Sequence, residues 1–106
     1  MMTIEEQEQK LKKSLFDVLE YSTEENKQNY LQQLNVLEFL IIQEANKYNH
    51  KTPEYFAIKK EAFSIRRKSA MELINLWIKK YGNLENCPMK YVDTLNIPFQ
   101  AIKEPK

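Results

Sequence analysis

Glycine is nearly missing from this chain: Gly82 is the only one in 106 residues. Loops that cradle phosphates or carry catalytic groups draw on glycine, which alone takes positive φ or admits a ligand against the backbone without steric cost. One glycine cannot make a GxxxxGKS or a GxGxxG motif, so those nucleotide-binding loops are excluded. Cysteine and histidine are as scarce, with Cys87 and His50 standing alone. A single thiol forms no intrachain disulfide, and one thiol with one imidazole does not build a zinc site. Cys87 reads as a structural thiol, and His50, between Asn49 and Lys51, as a loop residue. Nothing in the sequence joins them as a nucleophile and its base. Nor is there a Glu-x-x-His spacing for a di-iron bundle. An enzyme is not expected, and no catalytic residue, metal ligand or cofactor is assigned.

Long apolar runs are also lacking. The longest, Leu37 to Ile42, is broken by Glu38, whereas a bilayer-spanning helix needs about 20 such residues. The start of the chain, Met1 to Lys13, is rich in acids and poor in apolar residues, unlike a signal peptide. The sequence therefore predicts a cytoplasmic protein with no membrane partner. Arginine is rare as well: 2 against 14 lysines, a skew that resembles translation from AT-rich coding DNA.

What is present is a chain of helix formers. Hydrophobic residues make up 42% and charged residues 29%, the balance of a folded domain with one modest core. A first helix starts at Thr3, which with Glu6 makes a capping box. Ile4, Leu11, Leu15, Val18 and Leu19 follow at helical spacing. Tyr21-Ser22-Thr23 interrupts, and Ser22 with Glu25 reads as a second capping box. The second helix is expected from about Thr23 to Asn49, with Tyr30, Leu34, Leu37, Ile41, Ala45 and Tyr48 as its stripe. Val36, Phe39 and Leu40 fall on the opposite side. A helix apolar on two sides is central in a bundle or shared with a partner.

Thr52-Pro53-Glu54 opens the third helix: a capping hydroxyl, a proline where no donor is needed, and an acid at the positive helix end. Tyr55, Ala62, Phe63, Ala70, Leu73, Ile74, Trp77 and Tyr81 form its stripe, and Gly82 suits the left-handed residue beyond it. Pro88, Pro98 and Pro105 bar a long helix from the rest, although Pro88 can open a short one through about Leu95. The expected fold is all-α: a three-helix up-down-up bundle over 1–82, and a segment over 83–106 that packs on the bundle or on a partner.

Charge is divided along the chain. Residues 51–82 hold eight Lys or Arg against three acids, while 1–21 and 22–50 are each net negative by two. Two cations, Lys59 and Arg66, interrupt the apolar face of the third helix, where an unpaired charge is costly. An antiparallel hairpin turning at His50 and Lys51 would bring both within about a turn of Glu38. The first reading is an internal ion pair, favouring Arg66 for its planar fork. The second is a half-open groove in which Lys59, Arg66 and Arg67 receive an anion or a partner's acidic side chain.

These features favour a small non-enzymatic protein acting by protein–protein interaction, as regulator, adaptor, inhibitor or assembly subunit. The expected surface is Val36, Phe39 and Leu40, with Ile97, Phe99 and Ile102 from the tail covering it or joining it. The partner is another protein or a second copy. A nucleic-acid-binding protein using the basic third helix is the runner-up, although its cations spread around the helix without forming one stripe. A binder of a small anionic ligand between helices comes third.

Overall fold

The computed structural model describes residues 3–90, which form three α-helices and no strand. Helix α1 spans Ile4–Glu20, α2 Glu24–Ala45 and α3 Pro53–Tyr81. At the start of α1, Thr3 is extended and its hydroxyl accepts from the Glu6 amide at 3.1 Å. That same hydroxyl donates to the Glu6 carboxylate at 3.2 Å, so cap and acid hold one another.

Helix α2 starts where expected but with a different cap, and it ends early. Its cap is Thr23, which accepts from the Asn26 amide at 3.1 Å, in place of Ser22 paired with Glu25. Asn26 explains the one-residue shift. Its side-chain amide donates to the carbonyls of Tyr21 (2.8 Å) and Asp17 (3.4 Å), closing the end of α1. At the other end α2 stops at Ala45, four residues short of Asn49. Asn49 is occupied in the turn: its side chain accepts from the Lys51 amide, and its carbonyl accepts the Thr52 amide and hydroxyl. Tyr48, counted in the apolar stripe, lies past the helix end and is exposed.

Helix α3 follows the expected course. Thr52 accepts from the Tyr55 amide, Pro53 takes the first turn, and Gly82 is left-handed at φ +83°. Here glycine is favoured, because a Cβ at that φ crowds the neighbouring carbonyl.

Both α1 and α3 pack on α2 and touch each other much less. The reason is the breadth of α2's apolar arc: Tyr30, Leu34, Leu37, Ile41, Ile42 and Ala45 are all buried. Against it lie Leu11, Leu15, Val18 and Leu19 from α1, and Ala62, Ala70, Leu73, Ile74 and Trp77 from α3. The side chain of Phe63, expected in this stripe, lies outside the described set. Polar bonds set the registers. The buried Gln7 amide donates to the Gln33 backbone carbonyl (3.0 Å) and side-chain oxygen (2.8 Å). The Tyr30 and Ser69 hydroxyls lie 2.6 Å apart in the core.

From Asn83 to Lys90 the chain is irregular, with Asn86 at φ +66°. Cys87 and Met89 are nevertheless buried in the core, Leu84 packs against it, and the Trp77 indole donates to the Glu85 carbonyl at 3.3 Å. Pro88 to Lys90 are not helical, and the rest of the short helix expected there lies outside the described residues, as do Ile97, Phe99 and Ile102. Among the described residues no helix is long and apolar enough to cross a membrane.

Candidate functional site

Two cations of α3, Lys59 and Arg66, are turned inward, while Lys60, Arg67, Lys68, Lys79 and Lys80 are exposed. Arg66 Nε donates to Glu38 Oε1, and Arg66 Nη2 donates to Asn35 Oδ1 at 2.7 Å. The two charged side chains are 25% and 19% exposed. Burial pushes the Glu38 carboxyl above the usual carboxylate range, while the charge of Arg66 and its hydrogen bond pull it back only in part. Lys59 is buried, with its Nζ 4.9 Å from the centre of the Tyr55 ring. Lys80 Nζ donates to the Leu19 carbonyl at 2.6 Å. Arg67, the third residue of the expected anion groove, is exposed. The arrangement uses Arg66's donors within the chain, on Glu38 and Asn35.

Open depressions flank the helices among the described residues. One, about 330 Å³, lies between α1 and α3 over Leu37, with Glu8, Lys12, Glu61, Lys68 and Glu72 around Leu11, Leu15 and Ile65. Its charges are of both signs. Another, about 1060 Å³, lies where Thr3, Ile4 and Glu5 meet Leu40, Gln43, Glu44, Asn46 and Lys47. No group of three His, Cys, Asp or Glu among the described residues is placed to hold a metal ion.

The surface with the most distinctive chemistry is the outer face of α2. Val36 and Phe39 are 37% and 40% exposed there. Leu40, one residue on, is half-buried and turns toward Ile4, lining the larger depression. At 100° per residue, Gln28, Phe39, Gln32, Gln43, Val36 and Asn29 occupy an arc of about 100°, opposite the buried stripe. All six are exposed. From Gln28 to Gln43 the only charged residue is Glu38, and Arg66 holds it. The result is a charge-free strip about 22 Å long, on a chain in which 29% of residues are charged.

Other exposed apolar side chains sit in different company. Phe16, 47% exposed, has Lys12, Lys13 and Glu20 one turn away, and Phe56, 50% exposed, has Lys59 and Lys60. The corresponding neighbours of Phe39 are Asn35, Val36, Ile42 and Gln43. Val36 and Phe39 stand out from the apolar pattern of the sequence, whereas the amides beside them do not. The available signal was the recurrence of Gln and Asn at 28, 29, 32 and 43, on the arc shared with the two apolar residues.

No family model matches the chain, and comparison with curated proteins and with solved structures likewise gives no match.

Proposed function

We propose that this is a small, non-enzymatic, cytoplasmic helical protein that works by docking another protein chain. Its frame is an up-down-up three-helix bundle, and its contact surface is the outer face of α2, centred on Val36 and Phe39 with Leu40 at its edge. The charge-free strip from Gln28 to Gln43 carries this reading. Depletion of charge, with aromatic enrichment, is what separates the centre of a protein interface from ordinary surface. A solvated face with no partner has no physical reason to exclude lysine and glutamate, which cost nothing there. Phosphate binding through α3 has less support, because Arg66 and Lys80 are held by Glu38, Asn35 and the Leu19 carbonyl.

Phe39→Glu tests the reading. The position is exposed, so the thermal stability of the unassociated chain should change by no more than about 0.5 kcal/mol. Association with the docked chain should be abolished, since a carboxylate would be buried against apolar surface. A strict monomer that loses substantial stability on this substitution would overturn the proposal, because Phe39 would then be covered within its own chain.

A further inference from the structure

The outer face of α2 has a second property: it reads the same in both directions. Asn29, Gln32, Val36, Phe39, Gln43 and Asn46 follow one another at steps of three and four, the spacing of a helix–helix seam. From either end the order is amide, amide, apolar, apolar, amide, amide. All six residues are exposed. We infer that the partner of this face is a second copy of the same chain, docked antiparallel through α2 across a two-fold axis between Val36 and Phe39. The inference rests on the reading of this face as a contact surface.

A two-fold interface is self-complementary, so residue i meets j while j meets i. Antiparallel docking about that axis sets Val36 against Phe39 of the second copy, Gln32 against Gln43, and Asn29 against Asn46. Side-chain amides are suited to such pairing because each carries both a donor and an acceptor. A lysine or glutamate near the axis would instead approach its own symmetry mate, which accounts for the exclusion of charge from this stretch. Charges return at the ends of the seam, and there they are complementary. Exposed Glu25 at the start of α2 comes toward Lys47 of the second copy, just past the end of its α2, and the reverse holds at the other end. Lys47 can serve two carboxylates, as it already contacts Glu44 at 2.8 Å. Antiparallel helices also bring opposite dipole ends together. A parallel pair has none of these features: it stacks Glu24 and Glu25 on their own copies.

Sedimentation equilibrium of the full chain and of three double variants at Gln32 and Gln43 decides the matter. Both sites are exposed, and circular dichroism checks that each variant keeps its helices. The unmodified chain should pass reversibly from one to two copies as concentration rises. Q32K/Q43K and Q32E/Q43E should each associate at least about tenfold more weakly, because like charges then face each other, and mixing the two should restore the dimer. Q32K/Q43E should still dimerise, since antiparallel docking sets each Lys against a Glu. Loss of that variant's dimer would overturn the antiparallel arrangement. An unmodified chain that remains a monomer at the highest concentration would overturn the inference altogether. If that monomer still bound a different protein, and lost it on Phe39→Glu, the docking surface would stand and only its occupant would be wrong.

Discussion

Tyr30 lies in the centre of the core with no exposed surface, its hydroxyl 2.6 Å from that of Ser69. Burial pushes its phenol up to about 12, against smaller opposing effects from the Ser69 bond and the charge of Arg66. An unfolded tyrosine ionises near pH 10, so above that pH only the unfolded chain gains the phenolate. The raised folded value therefore means full stability below about pH 10 and progressive loss toward pH 12, reaching roughly 2–3 kcal/mol from this group. Urea unfolding across this range should be steeper in pH for the unmodified protein than for Tyr30→Phe. At neutral pH the substitution should cost only about 1 kcal/mol, for the lost hydrogen bond. Parallel pH profiles for the two proteins would show that the phenol ionises normally in the fold. Glu38 and Arg66 form a second internal polar contact, in which each side chain depends on the other for its partner. Removing either partner leaves the other charge poorly solvated, at about 2 kcal/mol given their partial exposure. Glu38→Ala and Arg66→Ala should each destabilise by that order, and the double variant by clearly less than their sum in denaturant unfolding. Because Glu38 is raised in the fold, ionising it weakens the folded state. Stability should thus fall modestly as pH rises through the carboxylate range, an effect absent from Glu38→Gln.

At the scale of elements, each helix end that one side chain decides was legible. Thr3, Thr52 with Pro53, and Gly82 cap as their local chemistry dictates. The ends of α2 were not, because distant or competing groups decide them. Two adjacent hydroxyls, Ser22 and Thr23, fit a cap equally well until Asn26 reaches back to α1 and selects the second. The periodic signal runs on to Tyr48, yet Asn49 uses its amide and carbonyl to build the turn. The Glu38–Arg66 contact was within reach of the hairpin's register, whereas the amides flanking Phe39 have meaning only as a surface. Helix α1 offers a further case that local reading cannot reach. It has no basic residue in its last turn, and α3 supplies the donors instead: Lys80 Nζ and Tyr81 Oη both reach the Leu19 carbonyl at 2.6 Å. One carbonyl with two donors makes them redundant. Lys80→Met or Tyr81→Phe alone should cost under about 0.5 kcal/mol, and both together about 1–2 kcal/mol, since only then does the Leu19 carbonyl lose both donors. Thermal melts of the two single variants and the double variant check this, and simple additivity would mean that the donors do not substitute for one another.

On the scale of the whole molecule, Cys87 and Met89 lie in the helices' core, with Leu84 against it, in spite of the irregular backbone of residues 83–90. Met89 is 1% exposed, Cys87 is buried, and the indole of Trp77 is bonded to the Glu85 carbonyl while its ring lies 4.7 Å from that of Tyr81. The chain's single tryptophan therefore sits where α3 meets this segment, and its fluorescence reports whether the segment is docked. If the segment folded as a separate unit it could leave before the helices melt, with no loss of the α1–α2–α3 core. The shared burial of Met89 and Trp77 argues for one cooperative transition, because withdrawing Met89 opens the same cluster that holds the helices. Met89→Ala should then cost about 2–4 kcal/mol, through lost transfer energy and the void left in the core. For a domain of this size that lowers the melting temperature by roughly 8 °C or more. In both the unmodified protein and the variant, tryptophan fluorescence and far-ultraviolet circular dichroism should melt together. A fluorescence transition that precedes helix loss by several degrees would mean that residues 83–90 undock on their own. Met89→Ala would then shift that early step while leaving the helical transition in place.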